Sequence, residues 1–123
     1  MINSNELRRG NYVNHDVMGF CRVTTIYKNS FDCTTDDKDW FTGAISEPIH
    51  LTPEIMEKCE GLKHGYLSGS GQHEYWYKDK VRILLPMGIV QLCFMKLPVN
   101  ITELHKLQNA WPFLTGEELQ VNL

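Results

Sequence analysis

HEYWYKDKVRILLPMGIVQLCFMK, residues 73–96, decides the fold of this chain. It is dense in β-branched and aromatic residues and is broken only at Lys78-Asp79-Lys80 and Pro86-Met87-Gly88. Apolar runs bounded by such breaks form strands, and connections this short pair neighbouring strands antiparallel. Three strands are expected, over 73–78, 81–85 and 89–96. Side chains alternate between the faces of a strand, which sends Val81, Ile83 and Leu85 to the core and Leu84 to the opposite face. Val90, Leu92 and Phe94 are the expected inner set of the last strand.

Outward from this stretch the same grammar continues. MGFCRVTTIYK, 18–28, reads as a strand with apolar groups on both faces, as in a curled sheet; Cys21, Val23, Thr25 and Tyr27 share one face. Asn29-Ser30 turns the chain, and Phe31-Asp32-Cys33 returns as its partner. LRRGNYV, 7–13, reads as a short strand broken by Gly10, and AISEPIHL, 44–51, as an extended segment with Trp40 and Phe41 anchoring the loop before it.

Two helices are expected. Thr52 as N-cap, Pro53 at the first helical position and a Leu51–Met56 staple start a short middle helix that Gly61 ends. Asn100 and Glu103 have capping-box spacing, with Val99 and Leu104 as a staple. Leu104, Leu107, Trp111 and Leu114 follow at helical spacing, so the C-terminal helix should bury one face. Pro112 should kink or end it near Ala110 or Trp111, because its ring meets the carbonyl four residues back. Thr115 and Glu118 repeat the capping spacing and suggest a further turn over 116–120.

The expected fold is α+β: a curled antiparallel sheet or small, partly open barrel of about five strands, one short middle helix and a C-terminal helix. A chain of 123 residues suits one domain, 1–123, with the glycine-rich stretch 61–72 as a loop or a weak joint inside it. Apolar residues at 42% and charged residues at 22% describe a globule rather than a disordered or fibrous chain. With 12 basic and 15 acidic residues the formal charge is −3, which gives no general polyanion-binding surface, although base collects at 78–82. No apolar run reaches the eighteen or so residues of a membrane span, and MINSNELRRG lacks the apolar core of a secretory signal, so the cytoplasm is expected.

Chemistry-bearing motifs are sparse. Cys21, Cys33, Cys59 and Cys93 form no CxxC pair and read as reduced thiols within the fold. The five histidines fit neither HExxH nor zinc-finger spacing, and His105 reads as a surface or boundary residue. Asp36, Asp37 and Asp39 lack the ligand alternation of a calcium loop, and Ser68–Gly71 lacks a phosphate-binding signature. Gln108-Asn109 reads as solvated or loop-capping amides. No metal, cofactor or catalytic residue is expected, which weighs against an enzyme. The leading expectation is an interaction or scaffold domain with a protein partner. The alternative is a nucleic-acid module in which Arg22, Tyr75, Tyr77, Lys78, Lys80 and Arg82 supply stacking and phosphate contacts.

His105, Leu107, Gln108, Asn109, Phe113, Leu114, Thr115, Gly116, Glu118 and Leu119 carry a family pattern. They make LHKLQNAWPFLTGEEL, 104–119, resemble a segment of small uncharacterised proteins of Bacteroidetes genomes and their phages, from which Trp111-Pro112 departs. LRRGNYV and PIHLTPEIMEKCE, 48–60, are similar to that family's opening strand and proline-led helix. The resemblance implies a phage-associated or accessory role and brings no catalytic residues.

Overall fold

The computed structural model describes residues 2, 4–35, 40–42, 46–66, 74–93 and 95–123. It divides into two compact units, Met1–His50 with Glu103–Asn109, and Leu51–Thr102 with Ala110–Leu123. The α+β class, the open antiparallel five-stranded sheet, the short middle helix and the longer C-terminal helix are all present. The sheet occurs twice, once in each unit.

The first unit opens with a 3-10 turn, Ser4–Glu6, followed by β1 (Tyr12–His15), β2 (Gly19–Ile26), β3 (Phe31–Thr34), β4 (Trp40–Thr42) and β5 (Ser46–Glu47). Strands β1 to β4 form a meander, and β5 returns to the free edge of β1. Val13, Cys21, Val23, Phe31 and Cys33 form its core with Ile2 and Leu7. The alternation expected along β2 changes phase part-way. Val23 pairs with Cys33 but Thr25 with Asp32, so the bulge adds a residue and lets Ile26 pack on the core.

The second unit holds α1 (Pro53–Glu57), β6 (Lys63–Tyr66), β7 (Glu74–Lys78), β8 (Val81–Leu85), β9 (Ile89–Leu92) and β10 (Met95–Asn100). Thr52 caps α1 through a bond from the Ile55 amide and Pro53 opens the helix, as its sequence predicts, and Ile55 and Met56 are buried; Gly61 does not end it, because the helix stops at Glu57 with Lys58 as C-cap and Cys59 already bridges Val121. The five strands form a simple meander. Val81, Ile83 and Leu85 are buried, and so are Trp76 and Val90. The segment 61–66 lies within this unit, so no unit boundary falls there.

Helix α2 (Leu104–Thr115) follows β10; its residues to Asn109 belong to the first unit and those from Ala110 to the second. Two expectations about this region fail, and of the kink or end expected at Pro112 the end does not occur. Asn100 does not cap the helix: it ends β10 opposite Ile89, and Val99 is 55% exposed rather than stapled to Leu104. The helix begins later because Leu104 N–H donates to the Ile49 carbonyl and Glu103 bridges His50. Pro112 does not end it either. The Gln108 carbonyl, which Pro112 leaves without a helical donor, lies 3.4 Å from Arg8 Nη2. Beyond Thr115 no helix follows over 116–120; the Thr115 hydroxyl instead donates to the Trp111 carbonyl and accepts from the Glu117 amide.

Gln108 and Asn109 cap a loop. Gln108 Oε1 accepts from the Tyr12 amide at 2.8 Å and its Nε2 donates to the Gly10 carbonyl at 3.1 Å. Asn109 Oδ1 accepts from Arg8 Nε and Asn11 Nδ2, while its Nδ2 donates to the Glu6 carbonyl. Two consecutive amides of α2 therefore hold the segment 6–12, including Gly10 at φ +89°. His105 is fully buried, contrary to the boundary position expected of it, with Glu6 Oε2 3.7 Å from its Nε2. The displaced helix start, with Ile49 and Glu6 brought against its first turn, accounts for the difference.

The expected acidic loop of Asp36, Asp37 and Asp39, the Ser68–Gly71 stretch, His73 and Phe94 lie outside the described residues.

Candidate anion-binding face of the second sheet

Pleating separates β7 into two sides. Trp76 is buried at 2% exposure and stacks on His64 with ring centroids 4.4 Å apart, so it belongs to the inner face. Tyr75 and Tyr77 take the other face, with centroids 5.6 Å apart. Register then fixes what lies beside them. Lys63 of β6 is opposite Tyr77, Tyr77 is opposite Arg82 of β8, Arg82 is opposite Gln91 of β9, and Gln91 is opposite Lys96 of β10. These five side chains form one cross-strand row. A second row, Gly65, Tyr75, Leu84 and Ile89, runs parallel to it. At the ordinary strand spacing of about 4.8 Å, the first row spans about 19 Å from Lys63 to Lys96.

Within its two rows this face carries charge of one sign, with Asp79 beside Arg82 in the turn at the end of β7. Its two rows hold Lys63, Arg82 and Lys96 and no carboxylate. Lys63 and Lys96 are exposed and have no carboxylate partner among the described residues. Arg82 is oriented by packing: its guanidinium carbon sits 4.4 Å above the Tyr75 ring. Tyr75 in turn lies over Gly65, where a Cβ would fall 2.5 Å from the ring. Glycine at 65 thus lets Tyr75 lie across the sheet and carry Arg82.

The residues singled out from sequence are distributed unevenly. Tyr75, Tyr77 and Arg82 share the outer face. Lys78 follows Tyr77, so pleating directs it to the opposite face, where its Nζ is 2.7 Å from Glu117 Oε2. That contact raises the Lys78 pKa and lowers that of Glu117. Lys80 is exposed in the two-residue turn between β7 and β8, whose first residue, Asp79, has φ +53°. Asp79, Lys80, Arg82 and Cys93 line a cleft of about 220 Å3. Arg22 belongs to the first unit, on β2 between Tyr12 and Thr34.

Lys63, Gly65, Gln91 and Lys96 were not legible as site residues. The sequence reads as one continuous strand over 89–96, which includes Lys96. The chain instead reverses after Leu92, which pairs with Met95, and Cys93 adopts φ +53°. A hairpin turn usually announces itself through Asn, Asp or Gly at positive φ, and cysteine gives no such signal.

Among the described residues no group of three or more His, Cys, Asp or Glu is placed to hold a metal ion. His64 Nε2 is 3.5 Å from Glu74 Oε2, whereas the Cys59 thiol donates to the Ile55 carbonyl. Burial pushes the Cys59 thiol up to about 12, away from thiolate chemistry. All four cysteines are free, and only Cys93 is exposed. No helix among the described residues is long and apolar enough to cross a membrane.

Comparison with protein-family models, with curated proteins and with solved structures gives no match. No specific biochemical activity follows from the sequence, the fold or these comparisons.

Proposed function

We propose that this chain is a small, non-catalytic interaction protein of the cytoplasm that binds a polyanionic partner through the outer face of its second sheet. The observation that carries this is the row Lys63–Tyr77–Arg82–Gln91–Lys96, three cations in one line with no carboxylate in either row of the face. The chain as a whole carries −3, so attraction of an anion depends on this local segregation and not on net charge. The resemblance of the C-terminal segment to phage-associated proteins supports a phage-associated or accessory role.

A heparin-binding measurement tests it. Wild-type protein should bind at ~50 mM salt and release as salt rises, because exposed charges are screened over a Debye length. Replacing Lys63, Arg82 and Lys96 together by glutamine should abolish retention while leaving the melting transition in place. Equal retention of the triple variant would refute the assignment of the face.

A further inference from the structure

Along the row the cations alternate with groups of another kind. Lys63, Arg82 and Lys96 lie on β6, β8 and β10, while Tyr77 and Gln91 lie between them on β7 and β9. Cations therefore recur at about twice the strand spacing, roughly 10 Å. An unpaired nucleic-acid strand has the complementary alternation of phosphates with bases whose faces and edges are accessible. A duplex hides the base faces in its own stack, so an aromatic ring on a sheet has nothing to stack on.

The two tyrosines divide the work. Tyr75 is committed, with Gly65 beneath its ring and the Arg82 guanidinium 4.4 Å above it. Tyr77 is half-buried, like Tyr75, and touches it at a tilt of 44°, but carries no cation over its ring among the described residues; it is flanked in register by Lys63 and Arg82, so a base stacked on it would have a cation on either side for its phosphates. Gln91 is next in line beyond Arg82 and supplies an amide donor and acceptor for a base edge.

We infer that the outer face of the second sheet binds single-stranded nucleic acid, with Tyr77 as the stacking residue, Lys63, Arg82 and Lys96 as phosphate contacts, and Tyr75 on Gly65 as the positioning residue for Arg82. This rests on the anion-binding face proposed above and names its ligand.

Fluorescence anisotropy with a labelled oligothymidine of roughly 12 nucleotides, its duplex with oligoadenosine, and labelled heparin provides the test. The single strand should bind at least ~10-fold more tightly than the duplex. With three phosphates contacted, log K should fall with log salt at a slope of about −2. Tyr77→Leu keeps an apolar side chain on the face but loses the π-surface; it should weaken single-strand binding roughly 5- to 100-fold and leave heparin binding unchanged. Tyr77→Phe should bind as wild type does. Tyr77→Trp gives a second route to the answer should Tyr77→Leu not fold, and should bind at least as tightly as wild type. Heparin or duplex binding equal to that of the single strand, or a Tyr77→Leu protein that binds like wild type, would overturn the single-strand assignment and leave the anion-binding face intact. Failure of all three ligands to bind would overturn both.

Discussion

Replacing Gln108 tests the link between α2 and the opening strand of the first unit. Its side chain is 7% exposed and makes two hydrogen bonds to the backbone, from the Tyr12 amide and to the Gly10 carbonyl. Gln108→Ala removes both and leaves the Tyr12 donor facing the space the amide filled. An unsatisfied buried donor costs about 1–3 kcal/mol, and removal of a buried methylene costs about 0.8 kcal/mol. Since Tyr12 is half-buried, water can reach part of the gap and the lower half of the first range applies. The sum is about 2–3 kcal/mol, which corresponds to a melting temperature lower by on the order of 10 °C. Urea denaturation followed by circular dichroism measures it.

Gln108→Glu sharpens the test. The ionised carboxylate still accepts from Tyr12 but turns an oxygen toward the Gly10 carbonyl, so folding disfavours its charged form and raises its pKa above the unfolded value of about 4.3. The penalty is present above the unfolded pKa and is relieved as pH falls and the acid regains a donor. Relative to wild type, this variant should gain stability on acidification. A Gln108→Ala protein within ~0.5 kcal/mol of wild type, as an exposed position would give, refutes the clamp.

Three further outcomes are expected. Burial lowers the His105 pKa below 6.5, the largest influence on it, against the opposing pull of Glu103 and Glu6. The unfolded chain therefore takes up the proton first, and stability should be full above about pH 6.5 and fall below it by at most about 1.4 kcal/mol per unit; urea midpoints between pH 8 and pH 5 that do not move would contradict this. Gly88→Ala should cost roughly 2–5 kcal/mol, because Gly88 has φ +72° and an added Cβ would meet the Ile101 carbonyl; a thermal melt near that of wild type would show that the β8–β9 connection is differently built. Ellman's reagent at pH 8 should modify one thiol of the native protein, Cys93, and all four after unfolding, since Cys21, Cys33 and Cys59 are buried and Cys33, like Cys59, is pushed up to about 12. Rapid reaction of a second native thiol would contradict that burial.

Local chemistry made much of this fold legible. The α1 cap is a short-range pattern, and Thr52 and Pro53 behave as their spacing predicts. The β7–β8 hairpin is similar, because Lys78-Asp79-Lys80 marks the turn and alternation fixes Val81, Ile83 and Leu85 as core. What escaped depends on contacts between residues distant in sequence. That the strands form two sheets is hidden in the sequence because the first unit's strands include β4 with three residues and β5 with two, below the length at which alternation carries information. Pro112 was read by its local steric rule, but Arg8, about a hundred residues earlier, lies against the freed carbonyl. The apparent capping box at Asn100 lost to strand pairing with Ile89.

Legibility of the candidate site was divided in the same way. Tyr75, Tyr77 and Arg82 share two adjacent strands joined by a short turn, so sequence alone brings them together. Lys63 and Lys96 join them only through the registers of β6 and β10, one across a long connection and the other across a turn made at Cys93. Arg22 matched in residue type and lies in the other unit.

The most direct measurement of the binding face is amide chemical-shift mapping by NMR during titration with oligothymidine at low salt. Perturbations concentrated at Lys63, Tyr77, Arg82, Gln91 and Lys96, with Trp76 and Ile83 on the inner face little changed, are the predicted result. Perturbations centred on the exposed Val17, Met18 and Phe20 of the first unit, with the outer face of the second sheet silent, would contradict it.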